Sequence, residues 1–173
     1  GTLFRSKKLN RLVGTWLCAA PVMYRLDDYM SNHLSHHSKA GTDADPDLYR
    51  YQDYPVEKKS LQRKLLRDVS GQTTLHFLEV SLTRNQVISR GEKGKKIVDY
   101  RQLISRFYAP IIMNSLLFLL LAGLGFAELY LLWLAAYFSI YMVFSRIRNL
   151  AEHACVPDLF DPDPMRHTRT MVA

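Results

Sequence analysis

The sequence predicts an all-α membrane protein, in which a transmembrane helical hairpin is joined to cytoplasmic and interfacial helices that carry a histidine cluster. Three observations predict it. Residues 108–147 are almost wholly apolar, whereas 1–107 are mixed and basic and 148–173 are polar. Lysines and arginines gather on both sides of that apolar block. Finally, His33, His36 and His37 crowd one helical turn, and His153 follows shortly after the block.

The average composition hides this unevenness: 173 residues, 48% hydrophobic, with a mean hydropathy of −0.12. A water-soluble domain spreads its apolar residues along the chain. The net charge of +7 suits an anionic partner. A membrane surface fits better than nucleic acid, because the cations flank the apolar block and no basic and aromatic alternation accompanies them. Cys18 and Cys155 form no CxxC pair, so the sequence suggests reduced thiols rather than a zinc quartet or a disulfide framework. The first apolar run, Leu12 to Tyr24, contains Pro21 and lacks a cleavage pattern, so it does not resemble a signal peptide.

The chain reads as one domain in four stretches. Residues 1–56 form a cytoplasmic segment ending in the turn-rich run DADPDLYRYQDYP at 43–55. Residues 57–107 hold interfacial helices and a basic loop. There Leu61, Leu65, Leu66, Val69, Leu75, Leu78 and Leu82 recur at helical spacing, with Lys58, Lys59, Arg63, Lys64 and Arg67 between them. That pattern predicts an amphipathic surface helix interrupted near Gly71. The stretch 84–98 is a turn region, either a short hairpin or a loop.

The apolar block at 108–147 exceeds the roughly 20 residues that one helix needs to cross hydrocarbon. It divides near Gly123, Gly125 and Glu128 into spans over about 109–126 and 129–146, with the turn at Ala127–Glu128. Glu128 is the sole charge within 108–145, and a turn places it in water or among headgroups. Arg84, Arg90, Lys93, Lys95, Lys96, Arg101 and Arg106 precede the hairpin, and Arg146 and Arg148 follow it. The positive-inside rule then sets both ends of the hairpin in the cytoplasm. Residues 148–173 are the second cytoplasmic segment.

Positions i, i+3 and i+4 share one face of a helix, so His33, His36 and His37 can converge on one spot. Neutral imidazole is a ligand for iron, zinc, copper and nickel. One turn supplies too few ligands for two metals. Asn149 and His153 are also i and i+4, directly after the second span and on the same predicted side of the membrane. Carboxylates that can accept the far N–H of a ligand ring are Asp43, Asp45, Asp47, Glu152 and Asp158. Asp45-Pro46-Asp47 is equally good turn chemistry. His76 and His167 match no ligand position and read as interfacial and structural residues. Arg166 and Arg169 could pair with carboxylates or meet an anionic headgroup.

These motifs resemble the membrane fatty acid desaturase family. His33, His36 and His37 match its second histidine box, HxxHH. NHLSHHSKAGTDADPDL, RKLLRDVSGQT and RNLAEHACVPDLFDPDPMRHTRT are each similar to family stretches, so the resemblance covers nearly the whole chain. It implies a di-iron centre with His33, His36, His37, His153 and Asn149 among its ligands. It also implies dioxygen as co-substrate, a fatty acyl substrate, and an external electron donor such as ferredoxin or a cytochrome b5-like protein. The implied reaction places a cis double bond in an acyl chain.

The first and third histidine boxes of the family are not in these 173 residues, and the chain begins with Gly rather than Met. Both features suggest a fragment that is itself inactive. A hydroxylase or ketolase of a carotenoid, alkane or other lipid shares the scaffold, and an inactive membrane scaffold protein is a further alternative.

Overall fold

The computed structural model describes residues 3–91, 94–157, 161 and 163–168. Lys93, Asp158 and Arg169 from the sequence reading lie outside the described residues. The chain opens with helix α1 (Lys7–Val13), which Ser6 caps by accepting the Leu9 N–H. A π-helical turn over Gly14–Ala19 continues it. Helix α2 (Leu26–Lys39) carries Asp27 and Asp28 in its first turn and its histidines toward the far end. Acid at the N-terminus and potential cations at the C-terminus both complement the helix dipole.

The interrupted amphipathic stretch is two helices, α3 (Lys58–Val69) and α4 (Gln72–Arg84). The break falls at Gly71, whose φ of 80° is a left-handed conformation that glycine adopts without strain. The 84–98 region resolves as a small antiparallel hairpin, β1 (Ile88–Arg90) and β2 (Lys96–Val98), with Ser89 opposite Ile97. The fold is therefore helical with one short two-stranded excursion, rather than all-α throughout.

Helix α5 (Tyr100–Gly123) starts under an Asp99 cap and is interrupted at Phe107 (φ −113°, ψ 20°). The cause lies three residues on. Pro110 has no N–H and its ring crowds the preceding turn, which breaks regular helix just before it. The chain then reverses through Leu124–Ala127, where Gly125 has φ 83°. Glu128 is the first residue of helix α6 (Glu128–Phe138), so the reversal falls slightly before the expected Ala127–Glu128 turn. The acid lies at a helix N-terminus, where the dipole favours it.

Helix α7 (Ile140–His153) follows after a kink at Ser139. The kink exposes the Phe138 carbonyl, which accepts a 2.9 Å hydrogen bond from Thr74 of α4. Phe118 and Tyr130 meet edge to face at 5.5 Å, so α5 and α6 fold back on each other.

Two helical stretches, Tyr100–Gly123 and Glu128–His153, are long and apolar enough to cross a membrane. Only 22% and 11% of their most apolar windows are buried within the protein. Leu119, Leu120, Leu131 and Leu132 each stand at least 60% exposed. A core helix of a water-soluble protein would be covered, so these surfaces call for lipid.

A second polar link, beside the Thr74 bond, ties the hairpin to α3. Asp68 of α3 is fully buried and binds Arg146 of α7 through both carboxylate oxygens, with Nη2 at 2.8 Å. Thr73 adds a third donor at 2.6 Å. This clamp fixes where α7, and thus His153, sits against α3.

Candidate metal centre

The C-terminal half of α2 and the end of α7 bring four histidines together. Their ring centroids lie 4.4 Å apart for His33–His37, 5.2 Å for His36–His37 and 4.4 Å for His36–His153. His37 and His153 are 5.9 Å apart. His36 and His153 are buried, His33 is half-buried and His37 is exposed. Tyr29, one turn before His33, stacks on its ring at 5.2 Å. Burial, followed by the neighbouring His37 and His36, holds the His33 imidazole below its ordinary pKa. That keeps its ring neutral, the form that can donate a lone pair to a metal.

The most informative contact joins His36 and His153, whose Nε2 atoms face each other at 3.0 Å. The partners of the other ring nitrogens assign the tautomers. His36 Nδ1 lies 2.8 Å from Asp45 Oδ1, and His153 Nδ1 lies 3.0 Å from the His167 carbonyl oxygen. A carboxylate and a carbonyl both accept, so each Nδ1 carries the proton. In the neutral rings both Nε2 atoms are then bare, and two lone pairs confront each other. Such a pair is stable only with positive charge between or beside it, either a proton or a metal ion. At a metal–nitrogen distance of about 2.1 Å, two ligands at a right angle stand about 3.0 Å apart.

Asp45 is the anchor beneath this pair. It is buried and accepts from His36, from the Asp47 backbone N–H at 2.8 Å, and from the Tyr51 hydroxyl. Tyr51 in turn accepts from the Gly41 N–H at 2.9 Å. Burial and the bond to Asp45 push the Tyr51 phenol well above its ordinary pKa, so it stays a donor. Three donors on one carboxylate fix its position and orientation, and Asp45 in turn fixes the His36 ring. Tyr51 also lies 5.3 Å from the His153 ring, so it touches both partners. Nothing in the run RYQDYP distinguishes Tyr51 from its tyrosine neighbours.

The remaining candidates separate clearly. Asn149 sits one turn before His153, and its side-chain oxygen is buried without a hydrogen-bond partner. A buried carbonyl oxygen left bare is costly, and a cation would satisfy it. Glu152 lies 3.9 Å from His153 Nε2 but is held by Arg148 at 2.9 Å. Asp47 lies toward Arg50, at 3.8 Å, and reaches no histidine. Asp43 is exposed on the loop. His76 is exposed on α4, with Phe77 as its ring neighbour.

His167 takes a structural part. It is buried, its backbone carbonyl orients His153, and its Nε2–H donates to the Asp161 carbonyl at 2.7 Å. It packs so tightly on Gly41 that a Cβ there would come within 2.2 Å of the ring. Among the described residues, no three His, Cys, Asp or Glu side chains already form a group able to hold a metal ion. His33 and His37 meet edge to face, and only the His36–His153 pair brings ring nitrogens to bonding distance.

The family model for fatty acid desaturase matches residues 1–172, which is essentially the whole chain. The chain belongs to the fatty acid desaturase family. No curated protein and no solved structure matches it significantly. Membership brings together the two features that the geometry displays separately. These are apolar helices that need lipid, and histidines gathered from α2 and α7. The desaturase family thus supports an oxidoreductase acting on a fatty acyl chain in a lipid environment.

Proposed function

We propose that His33, His36, His37, His153 and Asn149 are ligands to a di-iron centre of a fatty acid desaturase on the cytoplasmic side of the membrane. The observation that carries this reading is the bare Nε2 pair of His36 and His153, with each far nitrogen already committed to an acceptor. Such a pair has the polarity of a metal site. The orphaned oxygen of Asn149, one turn away, is a second donor of the same sign.

A saturated C–H bond lies beyond the reach of any side chain, so bound iron with dioxygen would supply that chemistry. The protein's own residues do the rest. Asp45 and the His167 carbonyl fix the tautomers and ring planes of His36 and His153, which keeps both Nε2 lone pairs directed at one place. Tyr51 and the Gly41 N–H keep Asp45 in position. The Asp68–Arg146 clamp sets the height of α7 so that His153 meets α2. The apolar spans would offer a route to an acyl chain, and the cations flanking them support a polar end at the cytoplasmic face.

Five donors do not complete two irons, so the proposal requires further ligands, which the other histidine boxes of the family would supply in a longer chain. An external carrier provides the electrons. Expression of the full-length protein in a host with a defined lipid profile tests the activity. Gas chromatography with mass spectrometry should reveal a new cis-unsaturated acyl chain, absent with His36→Ala. A hydroxylated or keto product would reject desaturation, and an unchanged lipid profile would reject the enzyme.

A further inference from the structure

A polar cavity lies away from the histidines, between the N-terminal segment and the start of α5. It measures about 480 Å³ and is lined by Arg11, Arg25, Arg101, Arg106, Asp27 and Tyr108, among others. Four arginines against one aspartate make its wall strongly positive. Two of the four are already engaged. Arg25 grips Asp28 with both carboxylate oxygens at 2.8–2.9 Å and bonds Asn85. Arg11 pairs with Asp27 at 2.8 Å, but both side chains are more than 60% exposed, so that bond is weak. Arg101 and Arg106 have no carboxylate within ion-pair distance among the described residues.

The position of the cavity identifies its surroundings. Arg106 directly precedes the break at Phe107, beyond which α5 becomes apolar. Tyr108 meets Trp16 edge to face at 6.0 Å, an aromatic pair of the type that sits at headgroup level. The N-terminal segment presents Leu9, Leu12 and Leu17 at 39–63% exposure beside Lys7, Lys8 and Arg11. Exposed leucines interleaved with cations suit a segment lying in the membrane interface. The cavity therefore opens where lipid phosphates reside.

We propose that this cavity binds the phosphate of an anionic lipid headgroup, with Arg101 and Arg106 as its principal donors. A guanidinium presents paired N–H groups that match phosphate oxygens, and basic pockets beside membrane helices favour anionic headgroups. The inference rests on the membrane placement of α5 and is independent of the metal centre.

Purified full-length protein titrated with dioctanoyl phosphatidylglycerol, dioctanoyl phosphatidylcholine or inorganic phosphate tests it, with binding read by native mass spectrometry. Phosphatidylglycerol should bind saturably and more tightly than phosphatidylcholine. Arg101→Gln with Arg106→Gln should weaken it about tenfold or more. Arg101→Lys with Arg106→Lys should retain most of the binding. Arg84→Gln with Lys95→Gln, which removes the same charge elsewhere, should leave it unchanged. Arg106→Gln alone supplies the comparison if the glutamine pair fails to fold. Equal binding of the two lipids, or an equal loss in the Arg84 and Lys95 variant, would overturn the site. Displacement of the lipid by inorganic phosphate at similar concentration would reassign it to a soluble ligand and overturn the lipid assignment.

Discussion

His36 and His153, 117 positions apart, present their Nε2 atoms to each other across 3.0 Å while Asp45 and the His167 carbonyl occupy their Nδ1 atoms. This arrangement ties α2 to the end of α7. It also makes the carboxylate and carbonyl behind the rings as consequential as the rings themselves.

Asp45→Asn keeps the shape of the side chain but removes the charge that holds His36 in its tautomer. Metal affinity of the full-length protein should fall roughly 10- to 100-fold. Competition with a chelator of known affinity measures this. Tyr51→Phe should give a smaller loss in the same assay, because Asp45 keeps its bonds to His36 and the Asp47 N–H.

Asn149→Leu separates a ligand role from a structural one. The Asn149 oxygen has no hydrogen-bond partner to lose, so the metal-free protein should unfold at an equal or slightly higher temperature. Bound iron should nevertheless decrease, and Asn149→Asp, which keeps an oxygen in place, should retain it. A stability loss together with unchanged iron would assign Asn149 to packing.

Asp68→Ala leaves Arg146 without its partner in a half-buried site. Such a loss costs about 3–5 kcal/mol. The thermal unfolding midpoint in detergent should drop by several degrees. Replacing both residues with apolar side chains, Asp68→Leu with Arg146→Met, should restore much of that loss, because no uncompensated charge remains.

The exposed cations of the β1–β2 hairpin allow a test of electron-donor docking. Lys96 is drawn into a 2.7 Å ion pair with Glu79, so it contributes less positive surface than its position in the basic run implies. Arg90 and Lys95 remain exposed. Arg90→Glu with Lys95→Glu in the full-length protein should slow turnover driven by an acidic donor protein, most strongly at low ionic strength. Turnover that is equal at all salt concentrations would place donor docking elsewhere.

Local pattern carried much of the architecture. The apolar run between basic flanks gave two helices, Gly71 gave the break between α3 and α4, and the His33, His36 and His37 spacing gave one helical turn. What the sequence hid depends on contacts between distant residues. Asp45, Asp47 and Asp43 looked equivalent in one loop, and only the turn of that loop beneath α2 selects Asp45. Asp68 is the lone acid in the basic helix α3, and only the fold brings Arg146 of α7 to it. Tyr51 and the His167 carbonyl gave no local signal, since one is a tyrosine among several and the other is a backbone atom. The turn before Glu128 came earlier than expected because Gly125 takes the left-handed conformation that the reversal needs.

Iron bound per protein molecule in the purified full-length chain, compared with His36→Ala and His153→Ala, tests the metal centre most directly. Inductively coupled plasma mass spectrometry provides the number. The account predicts bound iron in the unaltered protein and a substantial loss in both variants while their helical content is preserved. Iron retained at the original level in both variants would contradict it.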